Sequence, residues 1–117
     1  MTKEQLENVI DGWQKILGLT NWEINITYKD QKKVKVGSFC TVMETTCYPE
    51  YCVAEIVVER LKSAEEKDIV HELIHILLSE FTDYAYEKTS GERRALLHLE
   101  ERVVSQLSHI ILRKIQK

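Results

Sequence analysis

The sequence predicts an α+β domain: an N-terminal helix, a small three-stranded and mainly antiparallel sheet, and two C-terminal helices. Three observations lead there. Apolar residues recur at helical spacing in both end regions of the chain. Alternating or β-branched runs fill the middle. The resulting order, α-β-β-β-α-α, keeps strands and helices in separate runs. The chain has 117 residues, enough for one core and too few for two, so residues 1–117 are expected to form a single domain.

Each element has its own signal. Leu6, Val9, Ile10, Trp13, Ile16 and Leu17 make one apolar stripe over residues 3–18, and Gly18 reads as its stop. Trp22-Glu23-Ile24-Asn25-Ile26-Thr27-Tyr28 alternates strictly, as a strand with one buried face does. A charged turn over residues 29–33 leads to a second strand over 34–45, interrupted near Gly37-Ser38. Tyr48-Pro49-Glu50 marks a turn, and the β-branched run 52–58 is the third strand. Short turns between consecutive strands favour antiparallel pairing. Ser63-Ala64-Glu65-Glu66 reads as a capping box opening a helix that ends near Phe81, with the stripe Val70, Ile74, Leu77, Phe81. Residues 83–88 read as a connection. Thr89-Ser90-Gly91-Glu92 is a second capping box, opening a final helix with the stripe Leu96, Val103, Leu107, Ile111.

Composition narrows the function classes. Hydrophobic residues make up 44% and charged residues 30%, as in soluble globular proteins. The net charge of -3 argues against nucleic acid as a partner, because its binders are usually basic. No apolar run approaches membrane-spanning length, so no membrane partner is expected. No apolar signal core follows Met1, which points to the cytoplasm. The three cysteines, Cys40, Cys47 and Cys52, are an odd number without the spacing of a zinc ribbon, and are expected as free thiols packed like small apolar groups.

The chemistry lies in His71-Glu72-Leu73-Ile74-His75, an H-E-x-x-H motif within a helical run. Residues i and i+4 share a helix face, so both imidazoles can reach one cation. Glu72, beside the first histidine, can face a water held by that cation. Paired histidines on a helix are often plain surface or core residues. These interrupt a long apolar helix, where polar groups need a partner.

A catalytic zinc site needs three protein ligands and a water, so a third ligand must come from the neighbouring helix. Glu100 and Glu101 are both on offer. Periodicity at about 100° per residue puts Glu100 near the middle of the final helix's stripe and Glu101 to one side. A carboxylate on an apolar stripe needs a partner, and a metal would serve. Yet His71 and His75 themselves sit at the edge of their own stripe, an arrangement that Glu101 matches. Glu100 would then be a buried carboxylate paired with Arg93 or Arg94.

With these residues the chain resembles the gluzincin branch of zinc metallopeptidases. It is most similar to the small prophage-type metallopeptidase domains and the related immunity-region and radiation-response regulators. They carry H-E-x-x-H and then a helix of the form E-x-x-A-[ND]-x-F-A, whose first Glu is a ligand. Here that helix is Glu101-Arg102-Val103-Val104-Ser105-Gln106-Leu107-Ser108. The resemblance spans about residues 69–111 and implies a minimal zincin-like fold with Glu101 as third ligand. It departs at Ser105, where the family has a longer side chain that orients a ligand histidine; Glu100 stays the alternative ligand. A metzincin pattern fails because Phe81 stands in its third-ligand place. A His98 ligand, as in SprT-like proteases, lacks the sequence that follows it there.

The resemblance implies a metal-dependent peptidase. Zn²⁺ on His71, His75 and Glu101 would acidify water, and Glu72 would act as general base. Tyr84, Tyr86 and His98 are candidate oxyanion donors. The substrate would be a peptide or a specific protein, laid by β-augmentation along the strand before Arg60, in the host cytoplasm if the chain is phage-encoded. The competing readings are a zinc-binding phage accessory protein without turnover and a metal-free helical pair.

Overall fold

The computed structural model describes residues 1–29, 42–89 and 91–115. In chain order these form α1 (Lys3–Ile16), β1 (Glu23–Tyr28), β2 (Met43–Tyr48), β3 (Val53–Val58), α2 (Glu66–Lys88) and α3 (Arg93–Ile115). The domain is α+β, three helices with a small sheet. The second strand was expected over 34–45; of that stretch, residues 34–41, with Cys40, lie outside the described residues.

Thr2 and Gln5 cap α1 reciprocally, with Gln5 N donating to Thr2 Oγ1 at 3.1 Å and Thr2 N to Gln5 Oε1 at 2.9 Å. The stop at Gly18 is a left-handed cap, φ 72°. Gly18 N donates to Lys15 O and Leu19 N to Gln14 O, so the chain turns sharply toward β1. Leu6, Ile10 and Trp13 are the buried face of α1.

The sheet is mixed, which corrects the expectation of a mainly antiparallel one. Its order is β1-β3-β2. β2 and β3 pair antiparallel across the short turn at Pro49–Tyr51, as the short-turn rule requires. β1 instead pairs parallel with β3. The rule fails there because β1 and β2 are not neighbours: β3 lies between them. The burial of β3 suits the centre, with Ala54, Ile56 and Val58 sealed on one face. Register aligns three rows on that face: Tyr28–Val58–Met43, Ile26–Ile56–Thr45 and Ile24–Ala54–Cys47.

That face packs against α2, which also touches α1 and α3. A helix covered on several sides buries more than one stripe. Ile69, Val70, Leu73, Ile74 and Ile76 are sealed, whereas Leu77 and Phe81 of the expected stripe are exposed. The helix starts later and ends later than its sequence signals. Residues 61–63 form a 3₁₀ turn, and Asp68, not Glu66, accepts the N–H of the capping residue Glu65 at 2.9 Å. Its C-terminal end runs on to Lys88, through the expected connection. On α3 the inward face is centred on Val104 and Ser108, with Leu107, Ile111 and Leu112 beside them, while Val103 is exposed. The inward stripe is thus turned by somewhat less than one residue, roughly 60–80°, from expectation, with Leu107 and Ile111 still on it. Glu100 and Glu101 straddle it. Among the described residues, no helix is long and apolar enough to cross a membrane.

Candidate metal centre

One turn of α2 separates His71 from His75, and their Nε2 atoms lie 3.3 Å apart. The rings meet edge to face, with centroids 5.0 Å apart. Glu101 reaches across from α3 with both oxygens. Oε2 is 3.2 Å from His71 Nε2, and Oε1 is 3.1 Å from His75 Nε2. Three lone-pair-bearing groups from two helices therefore converge. A tetrahedral ion bound at 2.0–2.2 Å sets its donors about 3.3–3.6 Å apart. The two short Glu101 contacts come from different oxygens, and one donor atom from each of the three residues lies within 4.8 Å of the others. His71, His75 and Glu101 could hold a metal ion.

The alternative ligand, Glu100, has other partners. Its Oε2 accepts the Tyr86 hydroxyl at 2.9 Å, and its Oε1 lies 3.5 Å from His75 Nδ1. These partners replace the expected pairing with Arg93 or Arg94, both of which are exposed.

Burial is the main cause of the electrostatics here. It lowers the pKa of His71, helped by His75 and opposed by Glu101 and Asp68. A neutral imidazole is the form that binds metal. Burial pushes the Glu72 carboxyl up to about 7. The Thr45 hydroxyl, donating to Glu72 Oε2 at 2.6 Å, restrains that rise, as does His75, while Glu101 and Glu44 add to it. A carboxylate titrating near neutrality is matched to taking up and releasing protons.

The histidines, Glu72, Thr45, Tyr86 and both α3 glutamates line one cleft of about 570 Å³. That is large enough for several side chains of a ligand. Of the three candidate oxyanion donors, Tyr86 lines the cleft with its proton directed at Glu100. Tyr84 and His98 are exposed and do not line it. Cys47 does line it, and burial raises its thiol to about 11, so it stays protonated and offers no thiolate. Cys47 and Cys52 are free thiols.

The strand before Arg60 is β3, and it cannot serve as a substrate edge. Both its sides are taken, by β1 and β2. The edge beside the cleft is β2, which pairs only with β3 among the described residues and supplies Thr45. Thr45 was invisible as a site residue. It lies 27 positions from Glu72, and the packing of α2 against β2 brings them together.

Comparison with protein-family models, curated proteins and solved structures finds no match to this chain.

Proposed function

We propose that the chain is a zinc-dependent metallopeptidase of minimal zincin-like form that hydrolyses peptide bonds in a protein or peptide substrate. The observation that carries this reading is the convergence of His71, His75 and Glu101 at 3.1–3.3 Å with Glu72 beside them at the floor of an open cleft. Two imidazoles and one carboxylate, with a position left for water, is a donor set of catalytic zinc. The resemblance of residues 71–75 and 101–108 to the gluzincin pattern supports the same assignment.

When bound, zinc supplies Lewis acidity that polarises the scissile carbonyl and eases deprotonation of water. The chain's residues do the rest. His71 and His75 present Nε2, and Glu101 adds a charge that offsets part of the cation's. Glu72 accepts the proton of the attacking water and delivers it to the departing amine nitrogen, so the carboxylate is regenerated as the C–N bond breaks. Thr45 holds the Glu72 carboxylate from the sheet side. The β2 edge offers backbone groups to an extended substrate strand.

Elemental analysis of the purified protein tests the first half: one zinc per chain is expected. Cleavage of a mixed peptide library, with Glu72→Gln as control, tests the second. One zinc with no cleavage of any peptide or protein substrate would move the chain to the accessory-protein reading. No bound metal would remove both.

A further inference from the structure

Glu100 and Glu101 are adjacent, yet they meet opposite sides of one imidazole. Glu101 Oε1 lies 3.1 Å from His75 Nε2, and Glu100 Oε1 lies 3.5 Å from His75 Nδ1. The second oxygen of Glu100 is taken by the Tyr86 hydroxyl at 2.9 Å. Tyr86 stands eleven residues after His75, three helical turns, on the same face of α2. The side chains of His75 and Glu100 are 16% and 13% exposed, so water has little access to compete for either. A largely buried carboxylate needs partners, and among the described residues these two groups serve.

We propose that Glu100 is a positioning residue: its carboxylate, anchored by Tyr86, fixes the His75 ring with the proton on Nδ1 and the lone pair on Nε2, facing the metal position. The inference rests on the metal-centre reading for its purpose, but the contact it describes is present in the metal-free chain. Neutral imidazole carries one proton, and the partner of one nitrogen decides which atom holds it. A carboxylate only accepts, so facing Nδ1 it selects the Nδ1–H tautomer. Glu101, also an acceptor, competes for the same proton at Nε2. Glu101 is the nearer acceptor but its side chain is 48% exposed to water, whereas that of Glu100 is 13% exposed and held by Tyr86. This shielded, anchored carboxylate draws the proton to Nδ1, the direction metal binding needs. Carboxylate–histidine–metal relays of this kind tune affinity as strongly as some ligands do. This chain supplies the carboxylate from the residue before the ligand Glu101, and Ser105, one turn further on, has no part in it.

The test combines a metal-free and a metal-bound measurement on the full chain. In zinc-free protein at mildly alkaline pH, ¹⁵N NMR of the His75 ring should report the Nδ1–H tautomer. Glu100→Ala should shift it toward Nε2–H. Zinc affinity against a competing chelator should fall about ten- to a hundredfold in Glu100→Ala. It should fall only a few-fold in Glu100→Gln, whose amide oxygen can still accept, and in Tyr86→Phe, which leaves the carboxylate in place but loosened. These milder variants keep the test informative if the alanine variant does not fold. An Nε2–H tautomer in the wild type, an unchanged tautomer in Glu100→Ala, or unchanged zinc affinity in both Glu100→Gln and Tyr86→Phe would overturn the proposal. Zinc lost from Glu100→Gln but kept by Glu101→Ala would also overturn it, because Glu100 would then be the ligand. If the wild type binds no zinc, the metal centre fails, and the tautomer measurement still decides for or against the contact.

Discussion

Thr45 Oγ1 lies 2.6 Å from Glu72 Oε2, and this hydrogen bond ties edge strand β2 to the helix that carries both histidines. It is the direct polar link between the sheet and the proposed general base. A hydrogen bond to the ionised form lowers a carboxyl pKa, so its loss raises it. Thr45→Val keeps the shape and removes the donor. The Glu72 carboxyl, already pushed up to about 7, should titrate higher still. The acidic limb of the kcat/KM profile is expected to move to higher pH, with the maximal rate less affected than the position of the limb. A limb that stays in place would mean that Glu72 is not the group titrating there.

The ligand set makes the next prediction. His71→Ala and His75→Ala each leave two ligands and should abolish stoichiometric metal binding. Glu101→Ala should weaken it by about tenfold or more. The metal-free fold should survive all three, because Ile69, Val70, Leu73, Ile74 and Ile76 point into the core independently of the ligand edge. Chelator titration measures the first effect and metal-free thermal unfolding the second. Removing metal from the wild type should lower its melting temperature, and should not change that of either histidine variant. A histidine variant that still holds one tight metal per chain would place the site elsewhere.

Much of this centre was legible because it depends on short-range geometry. An i, i+4 pair on a helix meets at one point wherever the helix packs, so His71 and His75 needed no tertiary information. Expecting Glu101 beside them needed the facing helix, which the gluzincin-like pattern and the stripe-edge argument supplied, even though the inward face of α3 is turned from the expected one and α2 buries more than its expected stripe. What stayed hidden depends on how elements assemble. Residues 82–88 continue α2 as a helix, but Asp83, Tyr84, Glu87 and Lys88 are exposed and leave no apolar periodicity to detect. Tyr86 was therefore read as part of a connection, and its hydroxyl could not be placed beside Glu100. Strand order is likewise not written in alternation. A pattern with period two says which face is buried and nothing about which neighbour a strand takes, so parallel pairing of β1 with β3 and the edge position of β2 went unseen.

Burial of Glu72 has a cost that depends on pH in the metal-free protein. Its folded pKa, about 7, is raised above the ordinary 4.5. The folded state therefore holds the proton more tightly than the unfolded state does. Stability from this group is fully present below about pH 4.5 and is lost as pH rises through about 7. The shift sets an upper bound of ~3 kcal/mol. His71 acts in the opposite sense: its pKa is lowered, so its contribution is present above 6.5 and is lost as pH falls through the lower folded value. Glu72→Gln isolates the first effect. The stability of metal-free Glu72→Gln relative to metal-free wild type should grow as pH rises across that window, read from denaturant midpoints. A difference that is flat with pH would show that Glu72 is not held in a desolvated site.

The same substitution in the metal-bound protein separates binding from chemistry. Glu72 Oε2 accepts from Thr45, and no carboxylate oxygen of Glu72 joins the 3.1–3.3 Å triad of His71, His75 and Glu101. Glutamine has nearly the same shape, can accept the Thr45 hydrogen bond through its amide oxygen, and cannot take up a proton near neutral pH. Glu72→Gln should therefore keep one metal per chain with affinity within a few-fold of wild type. Its peptide hydrolysis should fall by about 10²–10⁴-fold, the usual contribution of a positioned general base. KM should change little, since Glu72 acts on the water rather than on the substrate's side chains. Paired measurement of metal content and single-turnover cleavage tests this. Loss of metal would make Glu72 a ligand, and undiminished cleavage would remove it from the reaction.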